Sequence, residues 1–341
     1  MKLLLGVLVT TAFIYLISSQ LEWDLVWTAI LEANLLWLPL CTLPWLAGIY
    51  IRIYRWSLML KAHAPELTIK NCIWPYLISA WLNITVPLRA GDFARAFGFR
   101  TQLQSPATRV LGTLVLERVF DLLIIVLFFF AGLMSATAAE AIPPLFATIA
   151  GTAAGVAIFM LLTLLIGQNA FRRIIRRFSS EGWFFRYSMS RRMVSWLDHF
   201  FDGVSCLKSQ KSWVQVTALT LALWLCEATI YIIVAISLNL KSIFLAPLFS
   251  FTTATLATAL PSAPGFVGTY DYFGALGAVA YGIDWNHAAA FIVVAHVILL
   301  APICLIPLAY VLCGNGLPKF GLSADAHTTD NNDPKTHLET G

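Results

Sequence analysis

Six long apolar runs divide this chain and restrict it to folds that exist in a membrane. Each run approaches or exceeds the roughly 20 residues that a helix needs to cross the hydrocarbon core of a bilayer. The composition agrees, because 59% of the 341 residues are apolar and only 12% are charged, whereas about 25% of a soluble domain is charged. We therefore predict an all-α polytopic membrane protein and exclude a soluble enzyme or a nucleic-acid-binding protein. The runs are residues 3–18, 35–51, 110–134, 145–166, 214–238 and 288–313.

Two further apolar runs are too short or too broken to cross a bilayer as single helices. Residues 72–86 end at Pro87, and residues 244–260 end at Pro261 and resume, after a loop, at 270–281. We predict that both runs form re-entrant helical hairpins, each of which enters and leaves the membrane on the same side.

The distribution of basic residues supports six full spans. With a cytoplasmic N-terminus, nearly all of the 22 Lys and Arg residues then lie in cytoplasmic segments, Arg52, Arg55 and Arg95 among them, as the positive-inside rule requires. If both short runs crossed the membrane, the basic segment 168–213 would lie outside, so we reject the alternative of eight spans. The prediction is a multi-pass protein of the cytoplasmic (inner) membrane with both termini in the cytoplasm.

The order of the predicted elements repeats along the chain. Each half reads span, span, hairpin, span, and the two halves start on opposite sides of the membrane. This order is typical of inverted repeats in transporters, in which broken helices meet near the midplane. We predict one transmembrane domain, residues 1–313, with halves of about 1–135 and 143–313. The second half contains an amphipathic cytoplasmic segment, 168–213, which either lies on the membrane surface or links the halves, and the polar tail 314–341 is predicted to be disordered.

The first hairpin carries charge near its tip. Arg89 and Asp92 follow Asn83 and Pro87, and charges at membrane depth usually mark function or a specific pairing. We predict that Asp92 caps a helix over residues 93–102. The positive end of that helix and the guanidinium of Arg89 would then attract a phosphate. The alternative is an Arg–Asp pair that only fixes the turn.

The span 110–134 contains three charges. Glu117 and Asp121 are four residues apart and share a helix face, and Arg118 and Asp121 are three apart and can pair. This leaves one carboxylate for another base, for which Arg89 and Arg95 are candidates. The alternative is a purely structural ion network.

Two more titratable residues lie within predicted spans. Glu227 is near the middle of residues 214–238, where it is a proton relay, a partner for Arg118 or a protonated core residue. His296 is predicted to be a buried histidine with satisfied hydrogen bonds rather than a ligand.

The second hairpin is interrupted at residues 261–271 by Pro264, Gly265 and Gly268 in addition to Pro261. Backbone groups freed by such a break are tolerated in a membrane where they line a cavity or meet protein. Tyr270 contributes a hydroxyl group beside the break. The alternative is an ordinary extracytoplasmic loop.

Together these motifs resemble the lysylphosphatidylglycerol synthase transmembrane-region family, also called flippase-like. Its patterns P-x-R-x-G-[ED]-x-x-R, E-R-x-x-D and P-x-x-P-G-G-x-G-x-x-E occur in the same order and at matching intervals over roughly residues 1–313. Phe266 replaces the second glycine of the third pattern, and Asp271 stands where Glu is common. The functional positions that the resemblance implies are Arg89, Gly91, Asp92, Arg95, Glu117, Arg118, Asp121, Pro264, Gly265, Gly268 and Asp271.

The resemblance implies movement of lipids or lipid-linked sugars across the membrane. We predict a translocase that binds an anionic phosphate headgroup between its hairpins, with Arg89 and Arg95 receiving the phosphate. Lipid aminoacylation is not implied, because no aminoacyl-transferase domain follows the membrane region. The alternatives are a membrane enzyme that acts on a lipid or polyprenyl phosphate, with Glu117 or Asp121 as general base, and a non-transporting partner of a lipid-modifying enzyme.

The predicted partners are therefore membrane lipids, preferably anionic ones, together with a second copy of the chain or a lipid-modifying enzyme. No catalytic, nucleotide-binding or metal-binding motif is present in the sequence, so we predict no enzymatic activity, no cofactor and no metal.

Overall fold

The computed structural model describes residues 21–86, 90–134, 188–207, 209–260 and 262–315, with single positions and short stretches within 11–19 and 148–159. These residues form helices and no strand, which confirms the all-α class. Within the described part of the chain, three helical stretches are long and apolar enough to cross a membrane, namely Leu35–Lys61, Gln210–Ser237 and Trp285–Gly314. Most of the predicted spans 3–18 and 145–166 and nearly all of the tail lie outside the described residues.

The helices described below are numbered in chain order. In the first half they are α1 (Trp23–Leu31), α2 (Thr42–Lys61, preceded by the 3-10 segment Leu35–Cys41), α3 (Ile69–Thr85), α4 (Ala90–Phe93), α5 (Arg100–Leu103) and α6 (Ala107–Leu133). In the remainder they are α7 (Ser188–Val204), α8 (Gln210–Ser237), α9 (Leu245–Ala257), α10 (Thr269–Val279) and α11 (Trp285–Tyr310).

Local sequence determines where several of these helices begin. Ser209 caps α8 by accepting a hydrogen bond from the backbone N–H of Ser212 at 3.1 Å. Asp284 caps α11 in the same way through Asn286 at 3.0 Å. Pro106 stands immediately before α6, where its missing N–H costs nothing.

The described helices repeat one order in the two halves. A long helix (α2 or α8) is followed by a pair of shorter helices (α3 and α4, or α9 and α10) and then by another long helix (α6 or α11). In the first half the short helix α5 also precedes α6. α6 is 27 residues long. It is not among the three apolar stretches named above, because it carries three charges within its apolar part. α2 packs on α8, and α6 packs on α9, so elements from the two halves form one core.

Glycines allow the short helices to pack closely in both pairs. A Cβ at Gly91 of α4 would lie 1.9 Å from the carbonyl oxygen of Ser79 in α3. In the second pair, Ser250 of α9 donates a hydrogen bond to the carbonyl oxygen of Gly274 in α10 at 2.6 Å. A Cβ at Gly277 of α10 would lie 2.8 Å from Ser250 Cα. In each pair the two helices therefore pack with almost no space between their backbones.

The second pair contacts the first through its turn. The turn Pro264–Phe266 after α9 contacts α3 of the first pair. α3 also packs on α11, where the rings of Trp74 and Tyr310 stack with their centroids 3.6 Å apart. This contact brings motifs that are about half the chain apart to one place.

The prediction for the helix after the first tip is wrong in two respects. Helix α4 begins at Ala90, so Asp92 lies within its first turn and does not cap a helix over residues 93–102. The backbone then becomes π-helical over Ala94–Gly98 and is interrupted before α5. The Asp92 carboxylate is not available to a helix terminus because it binds the side chain of Asn83.

The described part of the predicted amphipathic segment 168–213 includes α7, which packs on α6. A Cβ at Gly203 would lie 2.1 Å from the carbonyl oxygen of Arg109, and Arg109 pairs with Asp202 at 3.6 Å. Trp196 is exposed on another face. One side of α7 is therefore fixed to the first half.

The contact between α9 and α10 predicts the effect of one added methyl group. Gly277→Ala should lower the free energy of unfolding by about 1–3 kcal/mol, because the backbone of α9 must move. Gly48→Ala is the control, since its Cβ would lie 3.7 Å from the nearest atom, Cys226 Cβ. Thermal unfolding in detergent measures both variants. Equal midpoints for Gly277→Ala and Gly48→Ala would contradict the packing described.

Candidate functional site: a charged network beside a cavity between the hairpins

Arg55 on α2 is the centre of a buried ion network. Its side chain has no solvent exposure. Nη1 and Nη2 donate to the two carboxylate oxygens of Asp121 at 2.7 and 3.2 Å, and Nη1 also donates to Thr220 Oγ1 at 2.7 Å. Glu117 Oε1 lies 3.2 Å from Nη2. One arginine therefore contacts both acids of α6 and also contacts α8.

Arg95 lies on the π-helical segment and is buried as well. Its Nη2 is 3.6 Å from Glu117 Oε2 and 3.6 Å from Asp92 Oδ1. Its guanidinium carbon lies 4.6 Å from the ring centroid of Trp56 and 5.1 Å from that of Tyr76. Such cation–π contacts hold a desolvated arginine in place.

Asp92 connects the first tip to α6. Asn83 Nδ2 donates to Asp92 Oδ1 at 2.9 Å, and the backbone N–H of Asp92 donates to Asn83 Oδ1 at 3.2 Å. Arg118 Nη2 lies 3.4 Å from the same carboxylate oxygen. The side chain of Arg118 is 42% exposed, in contrast to those of Arg55 and Arg95.

A second ion pair joins α2 to α8. Arg52 Nη2 donates to Glu227 Oε2, and the Arg52 guanidinium lies over the ring of Trp224 at 4.6 Å. Both side chains of the pair retain some exposure, 15% for Arg52 and 21% for Glu227. They are therefore less enclosed than the Arg55 network.

The second tip is held by its own set of bonds. Gly265 and Gly268 have φ values of +74° and +84°, which glycine adopts without strain. Asp271 Oδ2 accepts from the Gly268 N–H at 2.9 Å. His296 of α11 places Nδ1 2.7 Å from Asp271 Oδ1 and Nε2 2.9 Å from the carbonyl oxygen of Gly265. Both ring nitrogens of His296 therefore have a partner at this tip.

Phe266 occupies an unusual conformation at this tip. Its φ is +60°, a value that favours glycine and is rare for bulky residues. This is the position at which the family pattern has a glycine. The backbone therefore keeps the conformation expected of the pattern, although the side chain differs.

A cavity of about 260 Å³ lies between the two tips and the long helices. The charged residues that line it, among those described, are two arginines and one glutamate, Arg52, Arg118 and Glu227. Its uncharged polar and histidine side chains come from α3, from the second helix pair and from α11. They are Tyr76, Asn83, Thr258, Tyr270 and His296. The remaining wall is apolar and includes Ile49, Leu300 and Ile303.

The structure thus places the predicted residues in three positions. Asn83, Arg118, Glu227 and Tyr270 line the cavity. Asp92, Arg95, Glu117 and Asp121 form the ion network, and Gly91 supports it through the close contact with α3. Pro264, Gly265, Gly268 and Asp271 build the second tip. Arg89 lies outside the described residues.

Two predicted pairings are wrong. Arg118 pairs with Asp92 and Asp121 pairs with Arg55, so the spacing of three on α6 does not produce a bond. Glu227 pairs with Arg52 rather than with Arg118. In each case the charged group lies closer to a partner on another helix than to the predicted partner. The prediction for His296 is confirmed, because both ring nitrogens have a partner.

Arg52 and Arg55 are the functional candidates that sequence reasoning missed. They were expected in a cytoplasmic segment, yet both lie within α2. The available signal was the continuation of the helical apolar pattern beyond residue 51, since Ile53, Trp56 and Met59 are all buried. Among the described residues, no group of three or more His, Cys, Asp or Glu side chains is arranged to hold a metal ion.

Comparison with known families agrees with these motifs. The family described as the lysylphosphatidylglycerol synthase TM region matches residues 3–306. The chain belongs to this family. No curated protein and no solved structure gives a significant match. Membership of the lysylphosphatidylglycerol synthase TM-region family, together with the apolar helices, makes this a membrane protein with a role related to lipids.

The Arg55 network predicts a large and non-additive loss of stability. Arg55→Met should lower the free energy of unfolding by about 3–5 kcal/mol, because it leaves buried carboxylates without their cation. Adding Asp121→Asn should recover about 1–3 kcal/mol, since one uncompensated charge is removed. Unfolding in detergent measures the cycle. Lys61→Met, on the exposed end of α2, is the control and should change stability by less than about 0.5 kcal/mol. Additive losses for the two changes would contradict the pairing.

Proposed function

We propose that this protein translocates an anionic lipid across the cytoplasmic membrane by binding its phosphate headgroup in the cavity between the two hairpins. The observation that supports this most directly is the position of Arg118. It lies on the wall of the cavity while the acids of its own helix are bound by Arg55. The headgroup would be a phosphate ester of a lipid or a lipid-linked sugar.

The charge of the cavity favours an anion. Four arginines and four carboxylates make up the two ion networks described above, so the whole set is balanced. The charges on the cavity wall are not balanced, because Arg52 and Arg118 face a single glutamate. Arginine suits phosphate because its planar fork donates two parallel hydrogen bonds.

The cavity has both a charged and an apolar wall. Arg118 and Asn83 lie on one side, and Leu299, Leu300 and Ile303 of α11 lie on another. A volume of about 260 Å³ is smaller than the 300–1,000 Å³ that is typical of sites for drug-sized ligands. The site therefore suits a headgroup whose hydrocarbon chains remain in the bilayer.

The arrangement of the hairpins suits alternating access. We retain six full spans and two re-entrant hairpins in an inverted repeat, with the first tip reached from the cytoplasm and the second from outside. The second tip would act as the outer gate, in which Phe266 narrows the cavity. Strained backbone of the kind found at Phe266 is often located at functional sites.

The enzyme alternative has less support from this geometry. Glu117 and Asp121, the candidate general bases, are both bound by Arg55 and are shielded from solvent. A base must reach the proton that it removes, whereas the residues lining the cavity include neither carboxylate. If the protein were only a non-transporting partner of a lipid-modifying enzyme, the charged residues that line the cavity would have no function in that role.

Lipid scrambling in proteoliposomes tests the proposal. Fluorescent phosphatidylglycerol and phosphatidic acid should cross faster in vesicles with protein than in empty vesicles. Arg118→Gln should reduce the rate about tenfold or more, because a lost hydrogen bond to a charged group costs about 1.5–3 kcal/mol. Arg109→Gln is the matched control, since it removes an arginine from the same helix outside the cavity and should retain the wild-type rate.

Two outcomes would contradict the proposal. Equal rates for Arg118→Gln and Arg109→Gln would remove the headgroup role of Arg118, and wild-type rates no higher than those of empty vesicles would remove the translocase. Release of phosphate or of a headgroup by the purified protein would favour the enzyme alternative instead.

A further inference from the structure

The Arg52–Glu227 pair differs from the other buried pairs in its access to the cavity. Both side chains line the cavity, and Glu227 is the hydrogen-bond partner that the described residues provide for the Arg52 guanidinium. Arg55, in contrast, is enclosed and bound by Asp121, Glu117 and Thr220. An incoming anion can therefore reach Arg52 without breaking the central network.

We propose that Glu227 is a proton-binding residue that exchanges places with the lipid phosphate on Arg52, so that one proton is bound with each anionic headgroup. This inference rests on the proposed function and names the ion that accompanies it. When the cavity is empty, Glu227 is ionised and held by Arg52. When a phosphate oxygen takes the donors of Arg52, the carboxylate of Glu227 loses its cation.

The surroundings of Glu227 determine what happens to the freed carboxylate. The titratable groups that face it from the adjoining helices are Arg52, Tyr76, Arg118, Asp121, Tyr270 and His296. On its own helix, the hydroxyl of Tyr231 is bonded to that of Tyr270.

Little in this set can compensate a free carboxylate. The same phosphate would occupy Arg118, Arg55 holds Asp121, and Asp271 holds His296. A carboxylate in a low-dielectric site without a cation binds a proton, because burial penalises its charged form.

The proton balance of the cycle is simple. A proton moves from water in the cavity to an oxygen of Glu227 as the phosphate binds Arg52. When the headgroup leaves, Arg52 returns to Glu227 and the proton goes back to water. The bound state then has two arginines, one phosphate and a neutral glutamic acid, so the anion does not add a second negative charge to the cavity.

Proton uptake on lipid binding tests the exchange apart from transport. Phosphatidylglycerol is the probe, because its phosphodiester keeps one negative charge and does not itself bind protons near neutral pH. Calorimetric titration of the detergent-solubilised protein in two buffers of different ionisation enthalpy gives the protons taken up per lipid. We expect about one for the wild type and none for Glu227→Gln, which should still bind the lipid. Glu66→Gln, an exposed change in the α2–α3 loop, should match the wild type.

A transport readout accompanies the binding experiment. In proteoliposomes, the wild-type scrambling rate should change between mildly acidic and mildly alkaline buffer, while that of Glu227→Gln should be nearly constant. If Glu227→Gln does not fold, Arg52→Gln serves instead. It should bind phosphatidylglycerol at least tenfold more weakly and lose the proton uptake, since Glu227 is then already without a cation in the empty state.

The outcomes separate this inference from the proposed function. Lipid movement in the wild type with equal proton uptake by the wild type and Glu227→Gln would overturn the exchange and leave the translocase intact, with the proton bound by another group. Absence of both lipid binding and lipid movement in the wild type would overturn both proposals.

Discussion

The burial of Arg55 is the constraint on which the remaining structure depends. A guanidinium cannot lose its hydration without charged and polar partners, and Arg55 finds them in Asp121, Glu117 and Thr220. These partners come from α6 and α8, so one cation fixes helices from both halves of the chain. Arg55 pairs with both acids of α6, whereas Arg118 on the same helix pairs with Asp92 and lines the cavity. The candidate binding site thus follows from how the deeper charges are paired.

The helices could be predicted from sequence because their signal is local. The run at 214–238 became Gln210–Ser237, and the run at 110–134 became Ala107–Leu133. The charge pairs could not be predicted in this way. Arg55 and Asp121 are 66 residues apart, and the spacing of Arg118 and Asp121 favoured a local bond that does not form. The positive-inside rule counts Arg52 and Arg55 as bases beyond an apolar run, and it does not show that the helix continues through them or that they pair with other helices.

The motifs of the candidate site could be predicted from the sequence, but the residues that surround them in the structure could not. The two tips were recognised from proline, glycine and charge, and the turn Pro264–Phe266 indeed lies against α3. The partners of those motifs come from the long helices. His296 was expected only to have satisfied hydrogen bonds. It also joins Asp271 to the carbonyl group of Gly265 and lines the cavity. Phe266 departs from the family pattern, but its backbone keeps the conformation of the glycine that it replaces.

The most direct measurement is the structure of the protein in nanodiscs that contain phosphatidylglycerol, determined by electron cryomicroscopy. We predict density for a lipid phosphate in the cavity, within hydrogen-bond distance of Arg118 and Arg52, with the acyl chains directed into the bilayer and Glu227 separated from Arg52. A cavity without lipid density, with the Arg52–Glu227 pair intact and lipid phosphates only at the membrane surface, would contradict the account.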